Sequence, residues 1–153
     1  MIAQCINCTT FPVYYNYVYN YTAISTSSVI VLSMQRQADF FAVDDISITS
    51  LATPGVQLII NGGFETGNLA PWYYCNQNGS SNTGGVQTYN YTYNNYTYNP
   101  HSGSYFYAGG NTANADYISQ TFSTVVGQVY NVSFWIMIGN GGAQTNAALF
   151  LGV

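Results

Sequence analysis

Apolar residues along this chain recur at every second position, in short runs, and no stretch of ten or more residues carries a helical period. FPVYYNYVYNYT (11–22), SSVIVLSMQ (27–35) and FFAVDDISIT (40–49) are the first three such runs. Alternation sets one face of a strand on a core and the other on solvent, and a continuous apolar run suits a strand covered on both faces. SLATPGVQ (50–57) follows as a connector, with Pro54-Gly55 as its turn signal. LIING (58–62) and APWYYCN (70–76) predict two shorter strands, and a polar Tyr/Asn/Thr tract occupies 88–99. GSYFYAGG (103–110), DYISQTFST (116–124), QVYNVSFWIMI (128–138) and AALFLGV (147–153) predict four more, with a hairpin turn at Val125 to Gln128. Many short strands between regular turns predict an all-β protein, a β-sandwich of the jelly-roll kind.

At 153 residues the chain has room for one ordinary domain. Charged residues make up only 4%, lysine is absent, and Arg36 is the only arginine. A soluble monomer usually relies on more surface charge, so something else must solubilise this surface or cover it. A net charge of −4 with no basic patch argues against nucleic acid and against an anionic membrane surface as partners. No apolar run reaches membrane-spanning length, and Met1-Ile2-Ala3-Gln4-Cys5 lacks the basic start and apolar stretch of a secretion signal. With AALFLGV at the other end, the sequence reads as a piece, or a processed repeat unit, of something longer.

Asn-X-Ser/Thr acceptors at Asn7, Asn20, Asn78, Asn90, Asn95 and Asn131 offer a substitute for the missing charge: N-linked glycans on a secreted, extracellular protein. Asn131 lies inside a predicted strand and can carry a glycan only if it faces outward. Cys5, Cys8 and Cys75 are an odd number, which in a secreted protein suggests one disulfide and one remaining thiol. Cys5-Ile-Asn-Cys8 has redox or zinc spacing but lacks the second pair or the βαβ setting those sites require. A structural bridge from Cys5 or Cys8 to Cys75 is the favoured reading.

LIINGGFETGNLAPW, HSGSYFYAGG and ADYISQTFSTVVGQVYNVSFWI together resemble the start and middle of carbohydrate-binding modules of the galactose-binding-like jelly-roll type, families 4 and 9. SSVIVLSMQRQADFFAVDDISIT resembles the last two strands of the same family. In that family the NGGFE strand opens the module and the DDI strand closes it. Here residues 1–50 match the closing strands, 51–57 form a linker, and 58–153 match the opening two thirds. The chain thus carries one strand set, cyclically shifted. A closed permuted monomer, a covalent tandem array cut out of phase, and strands 1–50 completing the next subunit all fit this order. The last two make a filament, in which a sandwich lacking its closing strands demands a partner for its edges.

The resemblance implies a structural calcium ion held by Glu65 of NGGFE and by Asp44 or Asp45 of DDIS, with backbone carbonyls near Gly63 and His101. Carboxylates are hard oxygen ligands that suit Ca²⁺; the plainer reading is that these acids cap strand ends. Catalysis has little support. His101, beside Pro100, is the only histidine, no serine-histidine-aspartate spacing stands out, and five acids leave few for a glycosidase pair. Trp72, Tyr74, Tyr91 and Tyr93 could stack on sugar rings, although the tryptophan sits in a core-like strand context. The sequence therefore predicts a structural, non-enzymatic subunit. It joins copies of itself head to tail into an extracellular glycosylated fibre, by complementation through the strands 27–35 and 40–49 or as a covalent tandem array. A carbohydrate-binding module of a larger secreted protein is the alternative.

Overall fold

The computed structural model describes residues 3–6, 11–36, 39–77, 84–139 and 145–152, so Asn7, Cys8 and Asn78 lie outside the described residues. Among them there is no helix. The strands are β1 (Ala3–Ile6), β2 (Phe11–Thr22), β3 (Ser27–Arg36), β4 (Phe41–Ser50), β5 (Tyr73–Asn76), β6 (Gly85–Thr88), β7 (Tyr91–Tyr93), β8 (Tyr96–Tyr98), β9 (Tyr105–Gly109), β10 (Asp116–Ser123), β11 (Val129–Ile138) and β12 (Thr145–Gly152). Ten of them form two packed antiparallel sheets, ordered β1-β12-β3-β10-β5 and β2-β11-β4-β9-β6, so the chain is an all-β sandwich.

The alternation in the sequence sets the core directly. Ile30, Leu32 and Met34 of β3 face Tyr130, Val132, Phe134 and Ile136 of β11 across the layer, all buried, while the residues between them are half-exposed. Each such side chain contributes about 1.5–3 kcal/mol by leaving water. Within this chain β3 lies between β12 and β10, and β4 between β11 and β9. The two strands that resemble a module's closing strands are thus central in each sheet.

The connector between β4 and the next segment is a tight turn. Thr49 bridges to Gln57, and the Leu58 N–H donates to the Ile48 carbonyl at 2.9 Å. Gln57 Oε1 accepts from the N–H groups of Ile48, Leu58 and Ile59 at 2.8, 3.0 and 3.1 Å. The strand expected at 58–62 is not formed, because the Gln57 side chain takes amides that a ladder would use. The chain instead turns through Asn61 (φ 56°) and Phe64 (φ 59°).

The polar tract at 88–99 holds more order than its composition suggests. β7 and β8 form a hairpin whose two turn residues, Asn94 (φ 49°) and Asn95 (φ 63°), have the left-handed pair of a type I′ turn. Its tyrosines Tyr91, Tyr93, Tyr96 and Tyr98 pack on Phe40, Ala42, Phe106 and Met137 as a second apolar cluster, and Thr92 and Thr97 pair their hydroxyls 3.1 Å apart.

Cys5 is disulfide-bonded and Cys75 is a free, half-buried thiol. The bridge favoured from sequence, to Cys75, is therefore not made. Cys5 sits on β1 and Cys75 on β5, at opposite edges of one five-stranded sheet. Four strand spacings of about 4.8 Å put the two edges roughly 19 Å apart, beyond the ~4.4–6.8 Å Cα separation that a disulfide spans.

Candidate functional site

A clamp of three carboxylates binds the loop 101–105 to β4 and to the turn after Asn61. Consecutive residues of a regular strand point to opposite faces. A register shift between β4 and β11, with Asp45 at φ 49°, lets both Asp44 and Asp45 reach the same loop. Asp44 Oδ2 accepts from the N–H groups of His101 (2.9 Å) and Ser102 (3.2 Å), and its Oδ1 from the N–H of Asp45 (2.8 Å). Asp45 Oδ2 lies 2.6 Å from His101 Nδ1, and its Oδ1 accepts from the Ser102 hydroxyl at 2.8 Å. Glu65 takes the Ser104 N–H on both oxygens, at 2.9 and 3.0 Å, and the Tyr105 N–H on Oε1 at 3.0 Å.

Glycine makes this close approach possible at two points. Gly103 has φ 58°, and a Cβ there would collide with the Glu65 carboxylate. A Cβ on Gly63 would lie 3.3 Å from Asp45 Oδ1 and 3.7 Å from Asp44 Oδ1, so both aspartates border the same point. His101 stacks on Trp135 with ring centroids 3.8 Å apart and meets Tyr14 edge-on at 5.3 Å. Burial pushes the Asp44 carboxyl up to about 7, and the neighbouring Asp45 charge adds to the rise. The same burial, with Asp44 and Asp45 adding to it, raises the Tyr14 phenol well above its usual range.

The acids expected to act together are thus together. Among the described residues, no group of three or more His, Cys, Asp or Glu side chains is arranged to hold a metal ion. The clamp is filled mainly by N–H donors, yet Asp44 Oδ1 and Asp45 Oδ1 each accept one hydrogen bond and keep a lone pair near Gly63. That oxygen chemistry fits a hard cation as an added ligand rather than a preformed cage. His101, Ser102 and Asp45 also meet, but both His101 and Ser102 turn to the one carboxylate, without the hydroxyl-to-imidazole contact of a nucleophile relay.

The sugar-stacking candidates are not brought together. Trp72 is buried in the sandwich core, with its Nε1–H donated to the Asn61 carbonyl at 3.1 Å, and offers no free face. Tyr91 and Tyr93 are packed against Phe40, and Tyr74 is half-buried on β5. A longer row of tyrosines lies on β2. Tyr15, Tyr17, Tyr19 and Tyr21 alternate along the edge strand β2, with Tyr17 stacked on Tyr19 (6.4 Å, 10°) and on Phe134 (5.6 Å, 15°). Its signal was the strict Tyr alternation in YYNYVYNY. Of the acceptor asparagines, Asn20, Asn90 and Asn95 are exposed and Asn131 is half-exposed; Asn20 and Asn131 are register partners on the outer face of β2 and β11.

Two uncharged surfaces complete the picture. Between the edge strands β1 and β2 an apolar cleft of about 260 Å³ runs into the core, with Leu32, Met34, Phe41, Phe134, Ile136 and Leu149 in its walls. At the end where β2, β4 and β11 meet the loops 23–26, 51–56 and 124–128, five aliphatic side chains stand more than half exposed. They are Ile24 (71%), Leu51 (54%), Val56 (55%), Val125 (57%) and Val126 (59%). Backbone bonds from Ala23 to Gln128, from Gly127 to Ala23 and from Leu51 to Val129 hold those loops side by side. Arg36, Asp39, Asp44 and Asp116 are buried, which leaves Asp45 and Glu65, both in the clamp, as the carboxylates in contact with solvent. No protein-family profile, no curated protein and no solved structure matches this chain.

Proposed function

We propose that this protein is the structural subunit of an extracellular, N-glycosylated fibre, built from jelly-roll sandwiches that join head to tail. The observation that carries the reading is the near absence of exposed charge beside an apolar cap and an apolar cleft. Monomers rarely leave such patches uncovered. Glycans at Asn20, Asn90, Asn95 and Asn131 would supply the solubility that charge does not, and the exposure of these side chains is compatible with that role.

The strand order supports the finer fold assignment. From β9 to β12, and again from β1 to β4, the chain alternates between the sheets as a galactose-binding-like jelly roll would. The NGGFE turn then lies against the DDIS bulge, where the family's opening and closing strands meet. Calcium belongs to the proposal as a ligand of Asp44, Asp45 and Glu65, offsetting three acids served by one imidazole. In a strand-complemented fibre the 51–56 turn would open as the hinge that carries β1–β4 to a neighbour.

Electron microscopy of the glycosylated protein, with sedimentation of the same sample, tests the proposal. Filaments with a repeat of one sandwich are expected. A sample that stays monomeric at all concentrations and salt conditions overturns it.

One observation favours carbohydrate binding as a second reading. Tyr17 stacks on Tyr19 in the wall of the cleft, and Tyr15 and Tyr17 on the same strand are exposed. Binding of soluble oligosaccharides, lost on Tyr17→Ala, would favour that reading over the fibre.

A further inference from the structure

The aliphatic cap and the cleft between β1 and β2 lie on different parts of one molecule, and each is what the other lacks. The cap is aliphatic and exposed: Val125 and Val126 sit in the turn from β10 to β11, beside Ile24 and Leu51. The cleft is concave, and aliphatic and aromatic side chains, most of them from the core, make up most of its walls, with Gln4, Cys5 and Ser33 among them. No charged residue occurs in 22–28, 50–58 or 123–129, and none lines the cleft. Copies of a chain with net charge −4 repel one another in general. Solvent-contacting carboxylates are confined to the clamp, so two copies meet with least repulsion through cap and cleft.

We infer that the cap of one copy docks into the β1/β2 cleft of the next, and that this contact propagates the fibre. The inference rests on the fibre reading above and names its joint. A cap that fits a cleft elsewhere on the same chain makes a heterologous contact. It uses up one of each surface per link, so it generates an open filament rather than a closed pair unless the rotation happens to close a ring. Among the described residues β2 pairs on one side only, with β11; its other edge flanks the cleft and would give the incoming turn hydrogen-bonding partners as well as an apolar bed. Asn20 projects from the outer face of β2, away from the cleft walls, so a glycan there leaves the joint clear.

The test uses two variants of the glycosylated protein that each remove one half of the joint. Val125→Asp with Val126→Asp charges the cap and leaves the cleft; Ala147→Trp fills the cleft and leaves the cap. Sedimentation velocity should find each variant monomeric, with the concentration for half-assembly raised by about tenfold or more, the equivalent of at least ~1.4 kcal/mol. An equimolar mixture should contain one-to-one dimers and no longer species, because one intact cap and one intact cleft remain per pair. If the wild type forms filaments and both variants do so equally well, the joint lies elsewhere and the fibre reading survives. If the wild type itself never assembles, the fibre reading fails first. Circular dichroism melts check that each variant folds. Should Ala147→Trp unfold, Val126→Cys with Tyr17→Cys in a Cys75→Ser background replaces it. A ladder of oxidised multimers is then expected, and filaments that yield only monomer on oxidation overturn the joint.

Discussion

His101 and Asp45 face each other with Nδ1 and Oδ2 2.6 Å apart, while the same imidazole lies flat on Trp135. One side chain thereby ties the 101–105 loop to β4 and to β11 together. Replacing His101 by Ala removes both ties. The pair is about one-third exposed, so solvent screens it, and the expected cost is about 1–2 kcal/mol. Urea melts followed by tryptophan fluorescence check this, and a change within error would mean that the backbone bonds to Asp44 and Glu65 hold the loop alone.

Asp44 makes stability depend on pH in an unusual direction. Its folded carboxyl titrates at about 7, above the ordinary carboxylate value, so across the interval from about 4 to about 7 the folded state binds more protons than the unfolded one. Stability from this group is therefore greatest at low pH, falls as pH rises through that interval, and is level above it. The full drop has an upper limit of about 4 kcal/mol. Thermal melts in metal-free buffer between pH 4.5 and 8 should show the decline, and Asp44→Asn should flatten it. A wild-type profile that rises with pH over this range would contradict the burial argument.

Calcium should act on the same carboxylates at the upper end of that range. At pH 8, above the Asp44 titration, an excess of Ca²⁺ about a hundredfold over the dissociation constant is expected to add about 2.7 kcal/mol. Asp45→Asn and Glu65→Gln should each weaken the gain. Calorimetric titration reads the binding directly; absence of heat at pH 8, with a melting temperature that does not respond, would leave the clamp satisfied by its N–H donors alone.

Gly103 and Gly55 both sit at positive φ, but only Gly103 faces a carboxylate at close range. Gly103→Ala should therefore destabilise by about 1–3 kcal/mol more than Gly55→Ala, since the second meets open space and bears the backbone strain alone. Equal losses for the two would show that Glu65 moves aside without penalty.

Trp72→Phe should cost about 1–2 kcal/mol, because a buried indole gives up its bond to the Asn61 carbonyl. The loss should appear in chemical melts without any change in assembly, which separates the interior role of Trp72 from a surface role in sugar binding.

The sandwich was legible because its long strands announce themselves. SSVIVLSMQ and QVYNVSFWIMI alternate so strictly that β3 and β11 fall where the pattern puts them, within a residue or two. Asp44, Asp45 and Glu65 stood out as acids in a chain nearly without them. What the pattern could not convey was side-chain work done on backbone groups. Gln57 replaces a strand ladder with a single amide, so LIING turns where alternation predicted extension. The tract 88–99 looked like a polar surface because Asn and Thr outnumber its apolar residues. Its tyrosines nonetheless share one face, and two asparagines take the left-handed turn that an Asn-Gly pair usually marks. The cysteine pairing failed for a geometric reason: strand order, which sequence spacing does not encode, sets Cys5 and Cys75 at opposite sheet edges.

The tight turn at 51–56 also bears on how the chain folds. Thr49 meets Gln57, and the Ile46 N–H meets the Gly62 carbonyl at 3.0 Å, so the two segments join through a loop of only a few residues. Closing so short a loop costs little entropy, whereas pairing β3 with β10 must bring together segments 82 to 96 residues apart, and β1 with β12 segments 140 to 146 apart. The contact between β4 and the Gly62 turn is thereby one of the most local in the sandwich. The β4–Gly62 unit is expected to be structured in the folding transition state, with φ-values near 0.5–0.8 at Ile46 and Ile48 and values near zero on β1 and β12.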